Sequence, residues 1–374
     1  MIEVLEVKTR RQQKDFLEFP NKLYKDNPCY VPPLWSDEIK IFRKDYLYYE
    51  TCDAVYYNAY RDGVMSGRIS GILQKASNGK TGQKRVRFIR FDCIEDFSVA
   101  EALFGAVEAW AVSKGMDTVC GPLGFSDLER EGLLIDGFDQ MNTYEEQYNA
   151  PYYQDFIERL GYGKEVDWLE YRIFAPDPEA EDEMRKMAEF VKRRYHLRIG
   201  PASSAKDFLN KYMDGFFDIL DKSYDQIYGT VPFTEGMKKL LVSNFNLIID
   251  EKHACVVLDE HDNVILMAIS FPSIAKAMQI SGGRLTPRSI VRFLKDRAHP
   301  EVLDLGLIGV DPAWVNRGVS VIVAAELARM LHGKGVQYAE SNLNLEDNYA
   351  IQNLWKRFNA VQHKRRRAYV KKIV

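Results

Sequence analysis

The sequence predicts an α/β protein made of two similar halves, because one order of elements occurs twice along the chain. In the first half, an apolar helical pattern over Ala100–Gly115 ends in Lys-Gly and is followed by a short strand pattern, MDTVCGP. In the second half, the helical pattern over Val321–Gly335 also ends in Lys-Gly and is followed by VQYAES. Each strand leads to a helix that begins at an asparagine, Asn149 or Asn348, and then to a predicted closing hairpin.

A pair of strands precedes each of these units. The first pair, AVYYNAYRDGVMSGRISGIL, turns at Arg61–Gly63, and the second, ACVVLDEHDNVILMAISF, turns at Glu260–Asn263. Both breaks carry the Asp, Asn or Gly residues that favour tight turns between antiparallel strands. We therefore expect a β-hairpin at the corresponding place in each half.

The boundary between the halves is predicted from a change in composition. The segment APDPEAEDE at Ala175–Glu183 is rich in proline and acidic residues, so we expect an N-terminal domain over 1–175, a linker over 176–189 and a C-terminal domain over 190–374. The first half is also about 21 residues longer between its Lys-Gly and its asparagine. These extra residues, Gly124–Glu146, are rich in glycine and acid and predict an inserted loop over a cleft.

Composition restricts the class of protein and its partners. The chain has 374 residues, of which 46% are hydrophobic and 28% charged, and a net charge of −3. These values are typical of a globular protein and give no electrostatic reason to expect nucleic acid binding. The charged N-terminal stretch has no apolar core of signal-peptide length, so we expect a cytoplasmic location. Five scattered cysteines without a CxxC pair, and six histidines without HxH or HxxxH spacing, predict neither disulfides nor a metal site.

A strand, a tight loop and a helix follow one another around Gly309–Gly335. Alternating leucines before this segment indicate a strand, and apolar residues at helical spacing within it indicate a helix. Between them lies the polar turn Asn316–Gly318. A helix N-terminus after such a turn leaves backbone N–H groups without an acceptor, which favours binding of an anion by amides such as those of Val319 and Ser320. The alternative is a simple turn between a strand and a helix.

The second half resembles the GCN5-related N-acetyltransferases. VDPAWVNRGVS, at Val310–Ser320, is similar to the loop that binds the acyl-CoA pyrophosphate in that family, and NLEDNYAIQNLWKRFNA, at Asn344–Ala360, is similar to its Asn-x-x-Ala helix. The resemblance implies two such domains in tandem, each with a mixed, mostly antiparallel sheet flanked by helices. It also implies acetyl-CoA or a longer acyl-CoA as co-substrate, with no metal. The cofactor-binding residues that it implies are Val310, Val315, Asn316, Arg317, Gly318, Val319, Ser320 and Asn348.

Three residues of the second half depart from the family pattern. Val315 stands where the loop usually begins with Gln or Arg, Ser320 where it usually has Gly or Ala, and Trp355 where a tyrosine often serves as general acid. The N-terminal half departs further, since the turn before its helix, Asp92–Val99, has no glycine and carries two further acids. We therefore expect acyl-CoA to bind the C-terminal half only.

Two acids are candidate catalytic residues. N-acylation needs a group that takes a proton from the amine, and Asp304 and Glu340, on the strands before and after the loop and its helix, are the acids best placed for it. The alternative for each is a structural, salt-bridged carboxylate. Asn348 in turn either only caps its helix or also holds the pantetheine arm. The basic run His363–Lys372 fits a solvated hairpin face better than a contact with an acidic ligand or an anionic membrane.

Further segments, among them GPLGFSD, EGLLIDGFD and AESNLNLEDN, are similar to a bacterial family of tandem acetyltransferase-like proteins. This resemblance implies acyl transfer to a primary amine, such as an amino lipid or another small amine. The alternatives are a ligand-binding or regulatory protein that has lost the chemistry, and an aminoacyl-tRNA-dependent transferase. For the transferase we expect a small-molecule amine as partner, no nucleic acid and at most peripheral contact with a membrane, while the oligomeric state is left open.

Overall fold

The computed structural model describes residues 1–223, 228–231 and 233–374, and the strands of this part form one mixed sheet. The strands are β1 (Ile2–Glu6), β2 (Cys52–Arg61), β3 (Val64–Gln74), β4 (Arg85–Cys93), β5 (Thr118–Gly121), β6 (Leu133–Asp136), β7 (Gly163–Phe174), β8 (Arg198–Ile199), β9 (Ala254–Leu258), β10 (Val264–Pro272), β11 (Val302–Val310), β12 (Tyr338–Glu340), β13 (Asn344–Leu345) and β14 (Asn359–Lys372). The helices are α1 (Arg10–Leu23), α2 (Trp35–Glu38), α3 (Lys75–Thr81), α4 (Phe97–Ser113), α5 (Tyr152–Arg159), α6 (Pro178–Tyr195), α7 (Ala205–Ser223), α8 (Glu235–Ile248), α9 (Ala275–Ser281), α10 (Pro287–Ala298), α11 (Ser320–Leu331) and α12 (Tyr349–Trp355). The predicted α/β class is confirmed.

Several helices begin where the sequence supplies a capping side chain. Thr9 forms a capping box with Gln12 at the start of α1, and Thr286 forms one with Ser289 at the start of α10. The start of α11 differs, because its N-cap residue is Val319 and no side chain accepts a hydrogen bond there. The first amide groups of α11 therefore remain available to another acceptor.

The two halves share the order hairpin, strand, helix, strand. The hairpins β2–β3 and β9–β10 form around the predicted turns, with Asp62 and Asp262 in the left-handed backbone region. The strand that follows each hairpin then pairs in parallel with the strand that follows the helix, β4 with β5 and β11 with β12. The other strand pairs of the described residues are antiparallel, so the sheet is mixed and mostly antiparallel, as predicted.

The last strand of each half is exchanged with the other half. The order across the sheet is β1-β2-β3-β4-β5-β14-β7-β12-β11-β10-β9-β8. β14 pairs with β5 of the first half, β7 pairs with β12 of the second half, and the two pair with each other from Asn359–Phe174 to Val370–Gly163. The prediction of a closing hairpin within each half is therefore wrong, because each half ends in one long strand that crosses to the other.

The segment 176–189, expected to be a linker, lies mostly within helix α6. Pro178 occupies the first turn of this helix, where its missing N–H costs no hydrogen bond. Met184, Ala188 and Val191 are buried in the same hydrophobic core as α11. The proline and acidic residues thus mark the start of a helix, and α6 belongs to the packing of the second half.

Helices cover both faces of the sheet. In the second half, α11 and α12 pack with α6 on one face, while α7, α8 and α9 form a separate core on the other. In the first half, α4 and α5 cover one face and α1 the other. Within the described ranges, none of the helices has the length and apolar character that crossing a bilayer requires.

A cluster of four charged side chains is buried where the halves join. Lys364 Nζ lies 3.0 Å from Glu146 Oε2 and 2.5 Å from Glu170 Oε2, and Arg366 Nε lies 2.6 Å from Glu170 Oε1. Lys364 and Arg366 are 0% exposed. The basic run that we expected to be a solvated hairpin face thus turns two of its side chains into the interior, where two carboxylates compensate their charge.

Replacing Lys364 with Met should destabilise the fold. Glu146 and Glu170 would keep only one cation between them, and breaking a buried ion pair from one side costs about 3–5 kcal/mol. We expect a loss of this size in urea unfolding followed by tryptophan fluorescence. The matched control is Lys371→Met on the same strand, where a partly exposed pair with Glu108 is lost at a cost below about 1 kcal/mol. Equal losses in the two variants would contradict the role of the buried cluster.

Candidate active site

An opening in the sheet lies where β11 and β12 separate. Their parallel pairing covers three residues on each strand and ends at Asp304 and Glu340. Beyond this point the chain leaves β12, and the side-chain Nδ2 of Asn342 donates a 2.9 Å hydrogen bond to the Gly306 carbonyl across the gap. β13 then pairs with β7 rather than with β11. The separation leaves part of the β11 backbone without a neighbouring strand on that side.

A cavity of about 280 Å³ occupies this opening. Its walls come from α11 and α12 on one face of the sheet and from α8 on the other, so it extends through the sheet between the strands. Most of the lining is apolar. Among the apolar residues that line it are Leu241, Phe245, Leu305, Leu307, Val323, Ala324, Leu327, Met330, Leu343, Ile351, Leu354 and Trp355.

Carboxyl groups from the insertion Gly124–Glu146 line the same cavity. Burial raises the pKa of Asp127 to about 6, and burial together with the neighbouring Asp127 charge raises the pKa of Glu131 well above its usual range. Burial likewise raises the pKa of Glu145 to about 7, although the charge of Arg130 opposes this. Glu145 has no hydrogen bond or ion pair to a side chain in the described residues, and a carboxyl group in this condition is suited to accept a proton near neutral pH.

The position of the insertion is fixed by Asn149. Its side chain accepts a 2.7 Å hydrogen bond from the Leu134 amide and donates a 3.0 Å bond to the Leu134 carbonyl. Asn149 therefore holds β6 rather than capping α5, whose N-cap residue is Pro151. The sequence predicted a loop over a cleft here, but not that its acids line a cavity. The feature of the sequence that indicates these cavity-lining acids is the acidic composition of the insertion.

The loop before α11 has the form of an anion site. Asn316 and Gly318 have φ values of 70° and 76°, in the left-handed region. In the described residues no acceptor binds the amides of Gly318, Val319 and Ser320. The guanidinium of Arg317 is exposed, lies 4.7 Å from the centre of the Trp314 ring, and has no carboxylate partner among the described residues. Three free amides and one free cation are thus grouped at the end of β11, a combination that favours an anion.

Gly318 is needed for its backbone conformation rather than for space. A Cβ atom added there would meet only Val191 Cγ2 at 3.8 Å, which is an ordinary contact. Side chains other than glycine adopt such a positive φ at a cost of about 1 kcal/mol or more. The loop is solvent-facing, as expected from the sequence.

The structure places the two predicted catalytic acids side by side at the end of the parallel pairing, away from the cavity wall. Glu340 is fixed by Arg172 Nη2 at 3.0 Å and by His363 Nε2 at 2.7 Å. Asp304 is buried, and neither of its oxygens has a hydrogen-bond partner within bonding geometry among the described residues. Burial raises the pKa of Asp304 well above its usual range; the nearby Ser273 side chain lowers the pKa to a smaller extent, and the Glu340 charge adds a further rise. Neither side chain lines the cavity.

The other predicted residues lie around the cavity and loop. Asn348 caps α12 by accepting a hydrogen bond from the Ile351 amide and also lines the cavity. Val310 is the last residue of β11, and Val315 is 52% exposed in the loop. Trp355 lines the cavity and donates a 2.6 Å hydrogen bond from Nε1 to Asn344. The predicted cofactor residues are therefore gathered at one end of β11 and at α12.

The first half has a second, polar cavity of about 170 Å³ beside the equivalent strand opening. Arg90 lines it with a positive φ of 53°, binds Glu38 through Nε and Nη2, and leaves Nη1 without a described partner. Arg130 also lines it and, among the described residues, donates a hydrogen bond to the Tyr144 carbonyl alone. Leu128, Glu129 and Glu145 line both cavities. The insertion therefore forms a shared wall between an apolar and a polar space.

The helix that corresponds to α11 in the first half carries its own anion. Asp96 caps α4 by accepting from the Ser98 amide, and its carboxylate also pairs with Arg61. A negative charge already occupies the N-terminus of this helix, which disfavours a second anion there.

The chain shares its fold and part of its sequence with known proteins. No protein family model matches it. It is 26% identical over 373 residues to protein YghO of Escherichia coli K12, covering 96% of this chain and 93% of that protein. It is 24% identical over 300 residues to the bacterial ceramide synthase of Caulobacter vibrioides, covering 78% and 76%. The structure matches a tandem GNAT protein from the clavulanic acid biosynthesis pathway with a TM-score of 0.57, at 10% identity, over 100% of this chain and 99% of that one.

The buried carboxyls predict a fall in stability as the pH rises. Glu145 has a raised pKa of about 7 in the folded chain, so the folded state holds its proton more tightly than the unfolded state does. This contribution is fully present below the unfolded pKa, near 4.3, and is lost as the pH rises through about 7. We expect the urea midpoint to fall between pH 5 and about 8, and Glu145→Gln to reduce that fall. Glu260→Gln, an exposed acid in the β9–β10 turn, is the control, and an unchanged slope in Glu145→Gln would contradict the shifted pKa.

Proposed function

We propose that this chain, which has the tandem fold of the GCN5-related N-acetyltransferases, transfers an acyl group from acyl-CoA to a primary amine. The observation that carries the proposal is the coincidence of three features around β11. A loop with free amides follows this strand, an apolar cavity lies beside it where the strands separate, and an unpaired carboxyl group with a pKa near 7, that of Glu145, lines the cavity. Each feature supplies one requirement of thioester aminolysis.

The CoA diphosphate would bind the loop before α11. The free amides of Gly318, Val319 and Ser320 would donate to its oxygens, and the N-terminal dipole of α11 adds to the attraction. Arg317 would supply a charge-assisted hydrogen bond from the solvent side. The pantetheine arm would follow the unpaired backbone of β11, and Asn348 lies at the cavity wall where it can contact that arm.

The acyl group and the amine would meet inside the cavity, beside the insertion. The amine arrives as an ammonium ion, and the Glu145 carboxylate takes a proton from it. The free amine then attacks the thioester carbonyl, so that a C–N bond forms while the C–S bond breaks. As the amide forms, the nitrogen loses its second proton, and water relays this proton to the departing CoA thiolate, since Trp355 has no acidic hydroxyl to supply one. No metal takes part in these steps.

The acceptor that fits these surroundings is an amino lipid. The apolar cavity would accommodate hydrocarbon, while the polar cavity across Leu128 and Glu145 would hold the polar end of the acceptor, with Arg90 Nη1 and Arg130 as free donors. The name of the Caulobacter relative, a ceramide synthase, agrees with an amine of this class.

Gly318→Asp should abolish acyl-CoA binding in calorimetry. It places a negative charge where the diphosphate would lie, at a site where the side chain itself has room. Gly318→Ala is the matched control, because it carries the same backbone strain of about 1 kcal/mol without the charge and should retain most of the affinity. Arg317→Ala should weaken binding by about 1–3 kcal/mol. Wild-type affinity in a normally folded Gly318→Asp would favour the alternative of a protein that has lost the chemistry.

Glu145→Gln should lower kcat with an alkylamine acceptor by about 10²–10⁴-fold and leave the acyl-CoA Kd unchanged. The wild-type rate should rise as the pH passes about 7, where Glu145 loses its proton, and the variant should lose this rise. The comparison is Glu131→Gln: burial raises the pKa of Glu131 well above its usual range and so favours its neutral form, which the amide resembles, and this change should cost less than about tenfold. A larger loss in Glu131→Gln than in Glu145→Gln would reject Glu145 as the base.

A further inference from the structure

Helix α10 turns its apolar side to solvent. Val291 is 68% exposed, Leu294 is 56% exposed, and Ile290 in the same helix is exposed as well. Leu285, in the turn just before the helix, is also exposed. At helical spacing Ile290, Val291 and Leu294 share one stripe. A surface helix of a globular protein normally directs such a stripe into the core.

The side of α10 that faces the protein is mostly polar. Ser289 is buried and hydrogen-bonds within the capping box and to the Arg284 carbonyl. Arg292 pairs with Asp296 at 2.9 Å, and Arg297 donates to the Ile249 carbonyl. Phe293 also lies on this side and packs, partly buried, against the core that contains α9. Polar contacts and this apolar one together hold α10, while its apolar stripe stays exposed.

Basic side chains border the exposed stripe. Arg288 and Lys295 are exposed, and neither forms an ion pair with a described residue. At about 100° per residue, they lie together along the edge of the stripe next to Val291. An apolar face bordered by lysine and arginine is the pattern of a helix that lies in the plane of a membrane surface.

We propose that α10 and the preceding turn form a docking surface for a bilayer that contains anionic phospholipids. Leu285, Ile290, Val291 and Leu294 enter the boundary between head groups and acyl chains, and Arg288 and Lys295 contact the lipid phosphates. The inference goes beyond the proposed transferase activity and does not depend on it.

The charges favour a membrane over a second copy of this chain. A two-fold contact between two α10 helices would bring Arg288 and Lys295 of one copy near the same residues of the other. Like charges at such a contact repel, and the α10 face offers Asp296 alone as an acid, already paired with Arg292. An anionic lipid surface neutralises the same two cations.

The surface adjoins the polar cavity. The Gly283 carbonyl, at the turn before α10, accepts a 2.8 Å hydrogen bond from the Trp35 amide, and the Arg284 guanidinium lies 4.1 Å from the centre of the Trp35 ring. The two residues before Trp35, Pro33 and Leu34, line that cavity. A bilayer on α10 would therefore lie close to the space where the polar end of an amino lipid is proposed to bind.

The test is flotation of the full chain with vesicles of phosphatidylglycerol and phosphatidylcholine in equal parts, compared with phosphatidylcholine alone. We expect binding to the anionic vesicles, reduced at about 1 M salt where charges are screened within about 3 Å. Val291→Gln/Leu294→Gln should reduce the partition coefficient by at least about 30-fold through lost apolar burial. Arg288→Gln/Lys295→Gln should reduce it by about 30-fold, from about fivefold for each basic residue.

Val112→Gln, an exposed valine on α4, is the matched control and should bind like the wild type. Neither lipid is a primary amine, so the result is independent of acyl transfer. Equal binding to both kinds of vesicle, or no binding to either, would overturn the proposal. A dimer in analytical ultracentrifugation that Val291→Gln/Leu294→Gln dissociates, with no vesicle binding, would assign the face to self-association instead.

Discussion

The pairing of β7 with β14 is the constraint on which the rest of this structure depends. β7 is the last strand of the first half and β14 is the last strand of the second half. β7 nevertheless pairs with β12 of the second half, and β14 pairs with β5 of the first. The two sheets are thereby one, and the strand openings after β4 and after β11 have a fixed relation to each other. The buried charges of Glu170, Lys364 and Arg366 lie on these two strands, so the pairing also determines which residues compensate them.

The insertion uses this fixed relation. Glu146 at its end is held by Lys364 and Arg366, and Asn149 holds its β6 strand. Between these anchors, Leu128, Glu129 and Glu145 form the wall shared by the apolar and polar cavities. Burial raises the pKa of Glu145 in this wall to about 7, which suits proton transfer from an amine near neutral pH.

The sequence predicted those parts of the structure that depend on local patterns. The two hairpins, the order of strand and helix in each half and the solvent-facing turn at Asn316–Gly318 follow from turn chemistry and apolar periodicity. The proline and acidic residues of 176–189 predict a linker. The same composition is also typical of the first turn of a helix, and in the structure these residues begin α6. The exchange of β7 and β14 could not be predicted from the sequence, because no local residue pattern identifies two strands far apart in the chain as pairing partners.

Some residues of the candidate site can likewise be predicted from a local pattern, whereas others are brought together only by the tertiary structure. The anion loop is one continuous segment, so its residues could be named from the sequence. The sequence predicts Asp304 and Glu340 as catalytic acids because their strands are expected to be neighbours, and the structure does place the two residues in register. Glu340, however, is bound by Arg172 and His363. Which acids face the cavity depends on how the insertion folds over the opening, and that is a tertiary property of Asp127, Glu131 and Glu145.

The most direct measurement of the central claim is a crystal structure of the chain with a thioether analogue of acyl-CoA, which cannot undergo acyl transfer. The account predicts diphosphate oxygens within about 3 Å of the amides of Gly318–Ser320. It also predicts that the thioether sulfur lies between β11 and β12 and that the acyl group points toward Glu145. An analogue bound at the N-terminus of α4, or one that leaves the opening between β11 and β12 empty, would contradict it.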